Sequence, residues 1–409
     1  MREGYGACRQ AVRSVSVAPS VSVVRSSPTR ASARDTPKNK KFFSLNYVIF
    51  VQMYIQSLAL TFFRNHIQKQ FEFIADINLI TGLNGTGKTS ILDAIHCLGL
   101  TKSYLQHLDR ENITYGYDYT AVEGKFVFQT GIDTIRYAYH SKSGKKIWLN
   151  QVPVPNLSSY IGKINLLFFA PYDVYSLVES HEARKRSFDL VLSQLYPEYL
   201  HALMQYQKVL KQRNALLKQI QESKYTYTAD LLVAYDTLLD QYGGVISTYR
   251  SNFFASFEPI FQDTYSKLCH QNELPCIEYI SQHKPNFSKY LLAHHTRDIA
   301  AGRTLSGVHK DEIIFKINHL LAKNFASQGQ QKTFVLAVKL AQYLYIAEKN
   351  LCSPILLLDD ISDKLDPTRL THLFSFLNAY IKGQIFITDT HGHRFNLLTM
   401  GKNVNIIEL

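Results

Sequence analysis

The sequence predicts an α/β fold interrupted by a helical insert. Three observations carry the prediction. The apolar run Ile77-Asn78-Leu79-Ile80-Thr81 leads into a glycine-rich loop and a helix-like segment, Thr89 to Leu98. A second apolar run, Ile355 to Leu358, ends in two aspartates, as a buried parallel strand does when it delivers acids at its carboxyl end. Between them, residues 182 to about 265 switch to helical spacing.

The chain has 409 residues, enough for two or three domains, and its 46% hydrophobic and 19% charged residues are an ordinary globular mixture. The net charge of +12 invites a nucleic-acid partner, but residues 1–52 alone supply +7 of it. The remaining +5 suits such a partner without demanding it. Five cysteines (Cys8, Cys97, Cys269, Cys276, Cys352) are scattered and odd in number, with neither zinc-ligand spacing nor a disulfide framework. That usage fits a reducing cytoplasm. No membrane span is expected: Tyr47 to Phe63 is apolar, but Gln52 and Gln56 interrupt it and it is short for the ~20 residues a spanning helix needs.

Residues 1 to about 45 are rich in Ser, Arg, Val and Ala, with almost no acids and no periodic apolar face, and the extension as a whole runs over residues 1–52. Disorder, a transit peptide, or text upstream of a true start at Met53 all fit. The abrupt change at Met53 favours the last, or plain disorder. From there Tyr54–Leu60, Phe71–Phe73 and Ile77–Ile80 read as strands. Tyr119–Phe128, Asp133–His140 and Lys146–Val152 alternate with period two and carry turn signals between them, which predicts an antiparallel set after the first helix. In the insert, Leu200, Leu203, Tyr206, Val209, Leu210, Leu216, Leu217 and Ile220 recur at helical spacing, and Pro197 stands where a helix would begin. The α/β pattern returns near residue 300 and ends in Ile355–Leu358 and Gln384–Thr388.

Gly82-Leu83-Asn84-Gly85-Thr86-Gly87-Lys88-Thr89 fits the phosphate-loop pattern in full, and Ser90 continues it into the helix. Glycines let backbone amides approach an anion without a Cβ in the way. The amides and the helix N-terminus supply positive potential. Lys88 brings an ammonium to the outer phosphates, and the Thr89 hydroxyl can ligate Mg²⁺. A chance glycine turn would not come framed by strand and helix. Asp359 and Asp360 would be solvated turn acids if they stood alone. With the loop present, Asp359 is the natural acid of the Mg²⁺ sphere and Asp360 the group that polarises an attacking water. Transporter-type ATPases usually have glutamate there; Asp360 is a methylene shorter, which predicts slow turnover.

Two further segments narrow the class. Ser327-Gln328-Gly329-Gln330-Gln331-Lys332 precedes an apolar helix, Thr333 to Tyr345, and resembles the Ser-x-Gly-x-Gln signature of ABC-type ATPases. Ser362-Asp363-Lys364-Leu365-Asp366 follows the acid pair as the D-loop of that class does. More specifically, Phe325 to Thr333, Leu358-Asp359-Asp360 with Leu365-Asp366, Leu210 to Lys218, Leu305 to Glu312 and Phe63-Arg64-Asn65 resemble the RecF family of ABC/SMC-like P-loop ATPases. The resemblance runs from about Met53 to the C-terminus. Val308, Lys310 and Glu312 depart from the family's Gly-Pro-His-Arg-Asp-Asp stretch, Leu105 stands where it often has Arg, and Ser180 to Arg186 follows its Pro-x-x-Arg-Arg pattern only loosely. Thr388-Asp389-Thr390-His391 occupies the γ-phosphate switch position.

The resemblance implies an ABC-type, SMC-like ATPase head with an inserted helical arm: residues 53–170 and 296–409 form the two parts of the ATPase lobe and 171–295 the arm. It implies ATP and Mg²⁺, with Lys88 and Asp360 catalytic, and Arg64, Asn65, Ser327, Gly329 and Gln330 joining the phosphate loop as nucleotide contacts. Ser327 would reach the ATP of a partner copy, so ATP would close a homodimer on DNA, with RecR and RecO as further partners and the recombinase RecA as the loaded protein. Arg184, Lys185, Arg186, Lys208, Lys211 and Arg213 are candidate DNA contacts, each equally readable as a solvated helix face. A transporter ATP-binding subunit would need a Leu-Ser-Gly-Gly-Gln signature and a glutamine-rich coupling loop. A structural SMC head would need long heptad arms, and a small-molecule kinase would need neither Ser327 nor the D-loop.

Overall fold

The computed structural model describes residues 51–222, 229–269, 273–361, 366–390 and 402–409. Apart from Val51–Gln52, the segment read as an N-terminal extension lies outside them, as do residues 362–365 of the D-loop and His391.

The chain opens with β1 (Val51–Gln52), β2 (Tyr54–Phe63), β3 (His66–Glu72) and β4 (Ile77–Thr81), then α1 (Lys88–Leu100). Next come β5 (Tyr119–Phe128), β6 (Gly131–His140), β7 (Gly144–Leu149) and β8 (Val152–Pro153). With β2 and β3 they form the expected antiparallel sheet, in the order β3-β2-β5-β6-β7-β8. The short α2 (Leu157–Tyr160) leads to β9 (Leu166–Phe169) and α3 (Pro171–Glu179). The helical region contains α4 (His181–Leu195), α5 (Pro197–Gln221) and α6 (Ala229–Leu268). Pro197 does begin a helix, where its missing N–H costs nothing. After it Tyr199, Ala202, Tyr206, Val209, Leu216 and Leu217 are buried on one face.

One strand was hidden in the region read as helical: β10 (Pro275–Ile280). After α7 (Phe287–Ala293) and α8 (His295–Ala301) comes β11 (Glu312–Ile317), which pairs antiparallel with it, Pro275 opposite Ile317. Its six residues, Pro275-Cys276-Ile277-Glu278-Tyr279-Ile280, are mostly apolar and do not alternate cleanly with polar ones, so the segment carries little strand signal of its own. Then follow β12 (Leu320–Leu321), α9 (Ala322–Phe325), α10 (Gln328–Asn350), β13 (Cys352–Ser353), β14 (Ile355–Leu358), α11 (Pro367–Tyr380), β15 (Ile385–Asp389) and β16 (Val404–Glu408).

The second large sheet is wholly parallel, in the order β16-β4-β15-β14-β9. Both its faces are covered, which is why its strands read as unbroken apolar runs. Ile355, Leu357 and Phe386 join the core around α1 and the antiparallel sheet. Leu356, Leu358, Ile385 and Ile387 join the core made by α4, α6, α10 and α11. Helix α1 is buried from Ser90 to Leu100. A helix enclosed on all sides needs no polar face, and Cys97 is a core residue at 0% exposure. The carboxyl ends of β4, β15 and β14 lie side by side, and the chemistry collects there.

Candidate nucleotide site

Strand β4 ends at Thr81, and the loop from Gly82 to Gly87 turns the chain into α1. Gly87, the N-cap, has φ +101°. A Cβ there would collide with His66 Nε2 and lie 2.5 Å from Asn65 Nδ2, so glycine is required by both conformation and space. Lys88 folds back over the loop, its Nζ donating to the carbonyls of Gly82 at 2.7 Å and Leu83 at 2.9 Å. Thr86 donates to the Leu83 carbonyl at 2.9 Å. Gly82, Leu83 and Thr86 thus shape the loop. Asn84, Gly85, Gly87, Lys88, Thr89 and Ser90 line the pocket of about 280 Å³ that opens over it.

The opposite wall carries Asp359, Asp360, Thr388 and Pro171. Thr89 donates to Asp359 Oδ1 at 2.8 Å and sits 3.1 Å from Oδ2. Burial holds the Asp359 carboxyl above the usual carboxylate range, while the hydroxyls of Thr388 and Thr89 oppose that shift. Thr388 donates to Asp359 Oδ1 at 2.7 Å and accepts the Asp360 N–H at 3.0 Å, so one hydroxyl ties the two acids together. Asp360 has φ +45°, left-handed backbone that an aspartate adopts at a cost. The acid pair and the phosphate loop are therefore one site, as their sequence context implied.

Asn65 joins that site: it lines the pocket, donates to the Gly85 carbonyl at 3.3 Å and accepts from Ser90 Oγ at 3.2 Å. Arg64 is placed differently. Its guanidinium pairs with the buried Asp93 of α1 and reaches Ser103 Oγ at 3.1 Å and Asn112 Oδ1 at 3.4 Å. It braces α1 from behind and is not part of the pocket lining.

Ser327 is exposed and caps α10, accepting the Gln330 N–H at 3.2 Å. Gln330 returns the bond: its Oε1 accepts the Ser327 N–H at 2.7 Å, completing a capping box. Gly329 lies under Arg369, whose guanidinium nitrogens would sit 2.7 Å from a Cβ. Arg369 also donates to Thr333 Oγ1 at 3.0 Å and pairs with Asp366, joining the end of the D-loop to the start of α10. None of Ser327, Gly329 and Gln330 lines the pocket above their own chain's phosphate loop.

Three of the six candidate DNA contacts are withdrawn. Arg213 is fully buried, bonded to Asp236 at 2.8 Å and Asp298 at 2.7 Å. Arg184 is buried on the carbonyls of Ile313, Leu177 and Val178, and Lys185 on that of His309. Spacing alone cannot tell a basic residue that faces solvent from one that satisfies buried carbonyls or acids. Arg186, Lys208 and Lys211 are exposed.

Sequence reasoning missed a polar bridge between α1 and α10. Asp93 accepts the Tyr104 N–H at 2.6 Å and the Ser103 hydroxyl at 2.7 Å. The Tyr104 hydroxyl donates to Asp173 of α3, and Lys339 of α10 lies 3.4 Å from Asp173 and donates to the Phe168 carbonyl at 3.0 Å. Lys339, set inside the apolar middle of α10 between Val338 and Leu340, was the available signal.

Comparison with known proteins gives the family. A family model described as an AAA domain matches residues 57–231. The DNA replication and repair protein RecF of Cytophaga hutchinsonii is 39% identical over 346 residues, 84% of this chain and 91% of that protein. The chain belongs to the RecF family. RecF of Bacillus subtilis is 34% identical over 83% of this chain and 93% of its own length. The structure of the recombination mediator protein RecF-ATPrS in the RecFOR pathway superposes with a TM-score of 0.78 at 27% identity, covering 85% of this chain and 95% of that one. An Smc head domain from Pyrococcus yayanosii shares the fold at 13% identity and a TM-score of 0.51. The fold is accordingly that of an ABC-type, SMC-like ATPase head, as the RecF resemblance implied. Among the described residues no helix is long and apolar enough to cross a membrane.

Proposed function

We propose that this chain is an ATP-dependent DNA-binding protein of recombinational repair and replication, which closes as a homodimer on ATP and grips DNA at gaps while a recombinase is loaded. One observation carries the reading. The phosphate loop, Asn65, the acid pair and Thr388 line one pocket suited to a nucleotide, and the Ser327 turn, a helix N-terminus suited to an anion, stands exposed outside it. The turn serves a nucleotide only if a second copy brings one to it, and twofold symmetry makes two such sites at once.

The hard oxygen donors of Thr89 and Asp359 fit Mg²⁺ and would hold it. When bound, the ion neutralises charge on the outer phosphates. Lys88 leaves its loop carbonyls for those phosphates. Asp360, held through its N–H by Thr388, orients the attacking water. The short reach of its side chain supports slow hydrolysis, suited to a switch. A closed dimer that alone binds DNA couples the two ligands reciprocally. Exposed Arg186, Lys208 and Lys211 are suited to backbone phosphates, so binding is sequence-independent and salt-sensitive. The names of the relatives support repair and recombination mediation as the setting, and the RecFOR pathway named for the solved relatives supports RecR and RecO as partners. The scattered cysteines, odd in number, suit a cytoplasmic location.

The test is to size the protein with ATP and with ADP, with and without duplex DNA, and to mix variants. Lys88→Arg and Ser327→Arg should each stay monomeric and inactive alone. Mixed, they create one intact site per mixed dimer, and since neither variant pairs with itself the hydrolysis that returns is up to about half of wild type. A monomer that binds DNA equally in all nucleotide states would overturn the proposal.

A further inference from the structure

The Ser327 turn is tied to the far end of the molecule through one carboxylate. Gln330 uses both ends of its amide: Oε1 accepts from the Ser327 backbone, and Nε2 donates to Glu273 Oε1 at 2.9 Å. The other oxygen of Glu273 accepts from the Tyr265 hydroxyl. Tyr265 is 1% exposed, in the last turn of α6. Its ring centroid lies 6.0 Å from that of Phe334 on α10, and Phe261, one turn earlier in α6, packs on Phe334 at 4.9 Å. Helix α6 has 40 residues, about 60 Å of helix with Pro259 inside it, and its other end packs with α5 in the arm. On the far side of the same helix end, His372 of α11 meets the Leu268 carbonyl at 3.3 Å. The foot of the arm thus touches both the signature turn and the helix that follows the D-loop.

We infer that Glu273 is a positioning residue for the shared site: it holds Gln330, Gln330 holds the Ser327 turn, and Tyr265 fastens the pair to the arm helix. The inference rests on the reading of a site completed by a second copy. The chemistry is asymmetric in a useful way. Ser327 Oγ accepts from Gln330 N–H within the cap, which leaves its own O–H proton to donate to a phosphate. The turn must keep its shape for that proton to be aimed. A capping box on an exposed helix end frays readily unless its glutamine is held from behind, and Glu273 supplies that hold. Movement of the arm helix then reaches the turn through Tyr265 and Glu273, with no change at the phosphate loop of the same chain.

Because the turn acts on the partner's nucleotide, Glu273 should sort with Ser327 and not with Lys88. The experiment is complementation between full-length variants, read as ATP hydrolysis and as ATP-dependent dimerisation. Glu273→Ala should weaken dimerisation about tenfold and leave nucleotide affinity of the monomer unchanged. Mixed with Lys88→Arg it should restore hydrolysis, since one site then has an intact Lys88 and an intact Ser327 turn. Mixed with Ser327→Arg it should restore none. Tyr265→Phe keeps the buried ring and loses only the hydroxyl bond, so it should fold normally and show the same sorting with a smaller loss, about threefold. Glu273→Gln should recover part of the Glu273→Ala loss. Restoration by both tester variants, or by neither while Tyr265→Phe behaves as wild type, would overturn the assignment. Failure of the Lys88→Arg and Ser327→Arg pair to complement each other would instead overturn the shared site.

Discussion

Thr89, at the start of the phosphate-loop helix, donates its hydroxyl to the carboxylate of Asp359, 270 residues away, at 2.8 Å from Oδ1. That bond joins the phosphate-loop helix to the end of β14, and it places two hard oxygen donors together. Asp359→Asn and Thr89→Val should each lower Mg²⁺-dependent nucleotide affinity by about 10–100-fold. Titration of a fluorescent nucleotide with and without Mg²⁺ measures this; an unchanged Mg²⁺ dependence would place the metal elsewhere.

Gly87 has no room for a side chain. Gly87→Ala would bring a methyl against His66 and Asn65 at a positive φ, costing about 1–3 kcal/mol locally. We expect nucleotide affinity to fall at least tenfold while far-ultraviolet circular dichroism stays that of the wild type.

His309 is buried between Tyr206, whose hydroxyl lies 2.8 Å from Nδ1, and the Thr304 carbonyl, 3.2 Å from Nε2. Burial lowers its pKa to about 4 from 6.5. The unfolded chain therefore takes up this proton near pH 6.5 and the folded chain only near pH 4. Stability is complete above the first value and falls as the pH drops through the second, by up to about 3 kcal/mol. His309→Asn, whose Oδ1 can still accept from Tyr206, should show a flatter loss of urea-unfolding stability between pH 7 and pH 4.5. An identical slope in both proteins would refute the assignment.

Arg213 and Lys211 stand two residues apart on α5 and should behave oppositely. Arg213→Leu strands Asp236 and Asp298 in the core and should destabilise the fold by about 3–5 kcal/mol. Lys211→Glu, on the exposed face, should leave the melting temperature unchanged and reduce the salt slope of DNA binding by about one. A melting shift for Lys211→Glu without a change in DNA affinity would remove it from the interface.

Much of the fold was legible because its signals are local. Tyr119–Phe128 was bounded to the residue, since an amphipathic strand alternates within its own length. The phosphate loop was legible for the same reason: loop, cap and helix are one contiguous stretch. Strand β10 was not, because its six residues are mostly apolar without a clean polar alternation and follow a long helical run. Nor were the buried arginines, since a helical wheel shows which face a residue occupies and not what covers that face. Lys339 and Arg369 gain their roles from Asp173 and from Gly329, neighbours that only packing brings near.

By itself the sequence determined the local pattern of the candidate nucleotide site: the glycine loop that runs into a helix, the two acids that end the second strand, and the family the chain resembles. Those features are written in consecutive residues, where backbone conformation and side-chain type are set by nearest neighbours. The tertiary structure decided that β15 lies between β4 and β14, so that Thr388 bonds Asp359 and Asp360 at once, that Arg64 braces α1 instead of facing the pocket, and that Glu273 ties the arm helix to the Ser327 turn. Sheet order and helix packing depend on burying apolar faces far apart in the chain, and no local pattern encodes which distant face is chosen.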